Sequence, residues 1–401
     1  MVIGQNPVSE IITGLNHAGF ENIRGLASGK TLTLSYENNI YRDKASGLSA
    51  VIDLLSECGY DTLKIVTLIN DVPMMVTQIK TQEWKHYKSG ELPASEMSRQ
   101  IRVSKQTDTI WKTIREEQPA NSNANKIDLV IYPQFSIQNR LLTQLYEIQF
   151  NLAPAVEISL WKGMLFTGQI IFPILNGLEV QDIKENVDYK SRNYLYLTHE
   201  GEYIQPGFVT ISQDIRLQHQ WIGNVTVGKF NYHRYGMNGR VSHLFKGDQW
   251  SISGNAGLTG SSHFLQEQWV TGTLNTFTWQ TTAGYFYPAF NVQVDLSYGS
   301  YINKDKGFRV DCSRHFKSTT IGFYAMQTGG VSNGGFKFTV PFPTARRNRK
   351  HTLRIVAPKQ FDSDYNARYA VYYGLNYETR PNENQTEHFD NPIYIKNQLL
   401  K

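Results

Sequence analysis

The feature that most constrains this fold is a two-residue period in the hydrophobic pattern beyond Lys126. From Phe290 to Tyr298 every even position is apolar and every odd position is polar. Successive side chains of a β-strand point to opposite faces, so this alternation predicts half-buried strands. The pattern recurs in residues 148–160, 250–258, 308–312, 336–342 and 369–377, with turn signals such as Lys246-Gly247-Asp248 between the segments. The sequence predicts an antiparallel meander of about fourteen strands.

The first part of the chain has a different pattern. Apolar residues at helical spacing precede Gly19 and again Gly59, and each of these helical patterns is followed by a hairpin pattern, the second turned at Asp71. The order helix, hairpin, helix, hairpin predicts a small α+β domain. The predicted divisions are an α+β domain at 7–117, a linker at 118–126, a β-barrel at 127–380 and a polar C-terminal tail at 381–401.

The polar face of the predicted strands distinguishes a membrane barrel from a soluble β-sandwich. A water-facing sheet usually carries Lys and Glu, whereas this face carries Asn, Gln, Ser, Thr, Gly and scattered opposite charges. Such side chains suit a lumen in which they hydrogen-bond across strands. The apolar face carries aromatic residues near strand ends, as with Phe308 and Phe316, which is typical of an interfacial girdle. The pattern favours an outer-membrane β-barrel of about 12–16 strands over a sandwich.

Composition and charge narrow the classes further. The 40 Lys and Arg residues exceed the 35 Asp and Glu residues by a spread net charge of +5, which predicts no nucleic-acid partner. Cys58 and Cys312 fall in different predicted domains, and we expect both to be buried free thiols. No run of roughly 18 apolar residues occurs, which excludes a transmembrane helix. The scattered histidines predict no metal site, and no cofactor motif is found.

Several segments resemble the YjbH/GfcD family of exopolysaccharide-associated outer-membrane proteins. The stretch Ile302–Phe316 resembles the C-terminal block of that family, together with Ile321–Phe323 and Gly335–Phe342. Other similar segments are Ile211–Gln213, Val227–Phe230 and Tyr235–Gly239 in the predicted barrel, and Gly19–Ile23 and Tyr36–Arg42 in the N-terminal domain. The resemblance covers most of the chain from Gly19 to Phe342. This chain departs from the family in its length, its polar tail and its lack of a lipobox or signal sequence.

The resemblance implies an outer-membrane β-barrel encoded alongside polysaccharide export machinery, with no catalytic residues to carry over. Its expected partners are outer-membrane lipid or lipopolysaccharide, a polysaccharide and periplasmic export or assembly proteins, the last meeting a periplasmic N-terminal domain. The opening segment Met1–Asn6 is too short for a signal peptide but is compatible with the remnant of a clipped one, so we expect the signal peptide to be missing from this chain. The tail beyond Arg380 is expected either to hang into the periplasm or to tuck into the lumen.

Three groups of residues are the candidate sites. The first lines the lumen and contacts glycan: Asp214, Arg216, Asp295, Arg309 and Asp311. The second contacts headgroups or anionic glycan: Arg314, Arg346, Arg347 and Arg349. The third is an exposed patch that docks a partner: Glu37, Tyr41 and Arg42. Each group has a plainer alternative. The first group is then a set of balanced lumen charges. The run from Arg346 to Lys350 is a solvated turn, and the third group is a salt bridge in a turn.

Three functions are compatible with these patterns. The leading hypothesis is a non-enzymatic barrel that assists export or assembly of a surface exopolysaccharide or capsule. The second is a general diffusion porin. The third is a barrel enzyme acting on glycan or lipid, in which Asp295 and Asp311 form a carboxylate pair. No catalytic signature was found in the sequence, so the enzyme is the least favoured of the three.

Overall fold

The computed structural model describes residues 6–140, 144–177, 203–231, 233–245, 247–265, 268–349, 352–366, 377–383 and 390–401. The last predicted strand, residues 369–377, lies outside this part of the chain except for Tyr377. The helices are α1 (Val8–Ala18), α2 (Lys44–Ser56), α3 (Thr81–Ser89), α4 (Ala94–Gln100), α5 (Asp108–Ile114) and α6 (Pro392–Leu399). Within the described residues no helix is both long enough and apolar enough to cross a bilayer.

The N-terminal unit is an α+β module around a five-stranded sheet in the order β1-β2-β3-β4-β5. Its strands are β1 (Glu21–Ser28), β2 (Thr31–Glu37), β3 (Thr62–Ile69), β4 (Val72–Lys80) and β5 (Arg102–Ser104). Helix α1 ends at Gly19, whose φ of 96° is the left-handed conformation that glycine adopts without a Cβ penalty. The buried apolar faces of α1 and α2 pack on this sheet and form the largest apolar core in the described chain.

The second sheet contains fifteen strands and is almost entirely antiparallel. The strands are β6 (Ile127–Arg140), β7 (Gln144–Ile158), β8 (Met164–Asn176), β9 (Gln205–Arg216), β10 (Ile222–Asn231), β11 (Arg234–Phe245), β12 (Trp250–Leu265), β13 (Gln268–Thr271), β14 (Thr276–Tyr287), β15 (Val292–Ser300), β16 (Lys306–Phe316), β17 (Thr319–Thr328), β18 (Val331–Pro341), β19 (Leu353–Val356) and β20 (Gln360–Asn366). Strands β6 to β12 and β14 to β18 pair in sequence order, and β13 pairs only with β12.

The two ends of this large sheet approach each other. Strand β19 pairs in parallel with β6, and β20 pairs with β18, so these two strands end the described ladder, which is an open path. Only residues 357–359 separate them, a span of about 14 Å at most. Cα atoms of β20 and β6 also come within 8 Å of each other. The large sheet is therefore curled, with a concave inner face.

Burial in the large sheet is the reverse of that in a water-soluble sheet. On the inner face Thr210 is 1% exposed and Asp311 is 7% exposed, whereas on the outer face Phe308 is 58% exposed and Phe323 is 64% exposed. The two-residue period persists through β16 and β17, with polar residues inside and apolar residues outside. The curled sheet thus encloses polar side chains and presents apolar ones to its surroundings.

The prediction of a mainly β chain with a small N-terminal α+β region is confirmed, and strands make up 55% of the structure. The expectation for the cysteines is half right. Cys58 is a buried free thiol, but Cys312 is exposed because it lies on the outer face of β16 between Val310 and Arg314.

Candidate functional site

An ion-pair cluster lies on the inner face of strands β15 to β18. Asp311 on β16 accepts two hydrogen bonds from Arg309, with N···O distances of 2.7 and 2.9 Å, and a third from Lys337 on β18 at 2.8 Å. The Arg309 guanidinium lies 4.2 Å from the ring centroid of Tyr324. Asp295 is the direct cross-strand partner of Asp311 and accepts a hydrogen bond of 2.7 Å from Gln293. Charge in this cluster is therefore balanced locally by Arg309 and Lys337, whereas the plainer sequence interpretation had named Arg216 and Arg309.

The other two predicted lumen residues lie nearer the N-terminal unit. Asp214 on β9 accepts a hydrogen bond of 2.7 Å from Asn224 on β10. Arg216, at the end of β9, donates to the carbonyl oxygen of Lys105 at 2.6 Å, and its Nε lies 3.6 Å from a carboxylate oxygen of Asp108. Asp214 therefore lines the interior, whereas Arg216 fastens the large sheet to the N-terminal unit.

The C-terminal segment 377–383 lies inside the curled sheet. Arg380 pairs with Asp362 on β20 at 3.2 Å, and Thr210 on β9 donates to the carbonyl oxygen of Pro381. The side-chain amide of Asn382 donates to the carboxylate of Glu157 on β7 at 3.3 Å. The side-chain amide of Gln134 on β6 donates to the carboxylate of Glu383 at 2.8 Å. These wall residues lie on β20 and on β6, β7 and β9, on either side of the place where the two ends of the sheet approach each other. Of the two positions expected for the tail, residues 381–383 take the interior one.

Helix α6 lies at the interface between the N-terminal unit and the large sheet. Ile395, Leu399 and Leu400 are buried in the apolar core of that unit. Towards the large sheet, the hydroxyl of Tyr394 donates to the carbonyl oxygen of Lys317, in the turn after β16. The side-chain amide of Asn391 donates to the carbonyl oxygen of Asp248 at 2.9 Å. The helix thus joins the N-terminal core to the turns at one end of the large sheet.

The predicted partner-docking residues and the predicted arginine clamp contact each other. Tyr41 forms an antiparallel bridge with Arg346, whose guanidinium lies 5.5 Å from the Tyr41 ring centroid. The guanidinium of Arg42 donates to the carbonyl oxygen of Phe342. The backbone amide of Arg347 donates to the carbonyl oxygen of Ile40 at 2.7 Å. The docking surface of this patch is therefore the large sheet of the same chain.

Two expectations about these residues are wrong. Glu37 was expected to be exposed, but it is 3% exposed, because it accepts hydrogen bonds from Asn22, Asn123 and the backbone amides of Asn70 and Asp71. The arginine run was expected to contact headgroups or anionic glycan, or to be a solvated turn. Arg346 is exposed, but Arg347 is buried. Arg349 forms ion pairs with Glu21 and Asp128 at 3.3 and 2.6 Å, across the same interface.

Asn123 shows that the predicted linker is fixed to the N-terminal unit. Its side chain is buried against Asn22 and Glu37. The side-chain amide of the nearby Asn121 donates a hydrogen bond of 2.7 Å to the carbonyl oxygen of Phe20. Lys126, at the end of the predicted linker, donates to Glu21 at 2.5 Å. Residues 120–126 therefore hold β6 against the first hairpin, a role that composition did not reveal.

Arg314 lies on the outer face of the sheet, close to the end that meets the N-terminal unit. Its guanidinium lies 4.7 Å from the ring centroid of Phe316 and 5.9 Å from that of Phe290. All three side chains point away from the interior, as do Tyr298 and Phe308, whose rings are 4.6 Å apart towards the opposite end. Aromatic residues thus flank the apolar outer surface at both ends of these strands.

The interior also holds a cavity of about 1540 Å³, lined by Asp295, Asp311, Glu378, Arg380 and neighbouring polar side chains. These groups offer hydrogen-bond donors and acceptors at many points. Within the described chain no cluster of three His, Cys, Asp or Glu side chains is placed to hold a metal ion. The cavity is suited to binding a hydroxyl-rich ligand through hydrogen bonds.

A curled antiparallel sheet with a polar interior, an apolar exterior and a docked α+β unit defines a mainly β protein of the kind that can surround a polar path. Residues 4–348 match the YjbH family, described as exopolysaccharide biosynthesis protein YbjH, and the chain belongs to this family. No curated protein gives a match. Eight solved chains do match, among them a double mutant of Rh. blastica porin, with a TM-score of 0.32, 9% identity and coverage of 60% of this chain and 98% of that one.

Proposed function

We propose that this chain is an outer-membrane β-barrel protein that assists export or assembly of a surface exopolysaccharide. The observation that carries the proposal is the reversed burial of the large sheet, because apolar side chains that face outward from a polar interior are stable only against hydrocarbon. A barrel in a bilayer has no unpaired edge, and the approach of β19 and β20 supports closure. Membership of an exopolysaccharide biosynthesis family supports the task.

The proposed orientation places the N-terminal unit in the periplasm. The turns that meet this unit, such as residues 159–163 and 317–318, are short. Outer-membrane barrels have short periplasmic turns and longer extracellular loops. In this orientation the N-terminal unit is available to periplasmic export or assembly proteins, and the outer surface contacts outer-membrane lipid and lipopolysaccharide.

The occupied interior favours this function over a permanently open diffusion porin. Segment 377–383 contacts the wall at four points, and α6 lies at the end that meets the N-terminal unit. The proposal therefore expects low ion conductance in a planar bilayer. A steady, large conductance would support the porin instead.

Cell fractionation combined with heat-modifiable gel mobility tests location and closure together. We expect the protein in the outer-membrane fraction, with an unheated band that migrates differently from the boiled one because a closed barrel resists unfolding by detergent. A protein that stays monodisperse without detergent, or that shows one mobility under both conditions, would contradict the proposal.

A further inference from the structure

The wall groups that hold segment 377–383 are arranged along a path. They are the amide of Gln134, the carboxylate of Glu157, the hydroxyl of Thr210 and the carboxylate of Asp362, on four different strands. The four contacts come from the consecutive residues Arg380 to Glu383, and the backbone is bent at residues 381–383. They use both backbone and side-chain atoms of the segment. The path therefore binds a polar chain at several points.

The chemistry of this path matches that of a glycan. A sugar hydroxyl both donates and accepts, and carboxylates, amides and hydroxyls can pair with it. Tyr132 donates to Glu157 at 2.6 Å and so fixes the carboxylate that Asn382 also contacts. A side chain held by a neighbour is positioned before its ligand arrives, which lowers the entropic cost of binding.

We propose that these wall groups form a binding path for a linear glycan, and that segment 377–383 occupies the path as an internal competitor. This inference rests on the proposed function and assigns a binding site to its glycan. The segment and the glycan use the same hydrogen-bonding groups, so only one of them binds at a time. The apparent affinity for glycan is reduced by the fraction of molecules in which the segment is bound.

Calorimetric titration of the full-length protein in detergent with maltohexaose tests the inference. We compare the unaltered chain with the double variant Arg380→Ala and Asn382→Ala, which removes two contacts of the segment while leaving the wall intact. We expect maltohexaose to bind the double variant about tenfold more tightly, because the competitor is weakened. Equal affinities, or no binding to either protein, would overturn the inference.

A matched pair of wall variants locates the site. In the background of the double variant, Thr210→Val removes a hydroxyl of the path and should abolish the gain in affinity. Thr282→Val makes the same change at an inner-face position whose hydroxyl pairs with that of Ser297, and should keep the gain. If Thr210→Val also keeps it, the path is not the binding site. These titrations need only the folded protein, so their failure is distinct from a failure of the membrane assignment, which fractionation detects.

Discussion

Asp295 and Asp311 are direct cross-strand partners on β15 and β16, and both lie on the inner face of the large sheet. Opposed residues on antiparallel strands have Cα atoms about 5 Å apart, so two carboxylates in these positions repel each other unless cations intervene. Arg309 and Lys337 both hold Asp311, whereas Asp295 is contacted by the Gln293 amide. Asp311 therefore holds two cations, whereas Asp295 accepts a hydrogen bond from an amide, although both residues occupy the same kind of inner-face position.

Replacing Asp311 by Asn should destabilise the sheet by about 3 kcal/mol, because it leaves the buried Arg309 and the partly buried Lys337 without their carboxylate. Asp295→Asn is the matched control, and it should cost less than about 1 kcal/mol because relief of repulsion offsets the altered hydrogen bond. The measurement is the urea midpoint at which the heat-modifiable form is lost. Equal losses in the two variants would show that the asymmetry of the cluster has no energetic meaning.

Arg349→Met should loosen the interface between the N-terminal unit and the large sheet. The side chain is 8% exposed and pairs with Glu21 and Asp128, so its loss should cost about 2 kcal/mol. Limited proteolysis of the folded protein reports this as faster cleavage near the interface. Arg346→Met is the control, since Arg346 is exposed and its stacking on Tyr41 is worth at most about 1 kcal/mol. Unchanged cleavage of Arg349→Met would contradict the assigned role.

Arg314 should prefer anionic lipid at the end of the barrel that carries the N-terminal unit. In the proposed orientation this end faces inner-leaflet phospholipid, so the expected partner of Arg314 is a phospholipid phosphate and not the lipopolysaccharide that the sequence had suggested. One cation near an anionic surface contributes about 1 kcal/mol. Refolding into vesicles with and without phosphatidylglycerol should show a smaller lipid preference for Arg314→Gln than for the unaltered chain. Arg314→Lys keeps the charge and should keep the preference; a loss in both variants would point to the contacts with Phe290 and Phe316 instead.

Local patterns were sufficient to predict the first two helices, their hairpins and most of the long strands, whereas helices α3 to α6 were not predicted. The helix before Gly19, the hairpin that joins β1 and β2, and the alternation through β15 and β16 all follow from residues close together in sequence. Alternation also predicted which face each side chain takes, because a strand has only two faces. The polar character of one face then indicated the interior.

Long-range contacts were not predictable in the same way. Nothing local to Tyr41 or Arg346 shows that the two residues pair across some 300 positions of sequence, so each group was interpreted as a surface feature. Likewise, the polar composition of residues 377–383 is compatible with a solvated tail, and only the closeness of Gln134, Thr210 and Asp362 shows that the interior holds it. Burial of a charged residue is decided by its partners, which composition does not identify.

Glu37 should make the stability of the N-terminal unit depend on pH. Burial raises the pKa of its carboxyl, although the backbone amides of Asp71 and Asn70 and the side chain of Asn22 act in the opposite direction. Because the pKa is higher in the folded than in the unfolded state, the folded protein binds more protons above about pH 4.3. The contribution of Glu37 to stability is therefore complete below that pH and is lost as pH rises through the folded pKa.

The measurement is the free energy of unfolding of the full chain and of Glu37→Gln between pH 4 and pH 7, since subtraction of the two curves removes the titration of other carboxyls. We expect the difference to decline as pH rises and then to level off. Glu37→Gln should be less stable throughout, because its amide group places N–H donors against those of Asn22 and Asp71, at a cost of about 2 kcal/mol. A difference that grows with pH would mean that these donors outweigh burial and hold the carboxylate ionised.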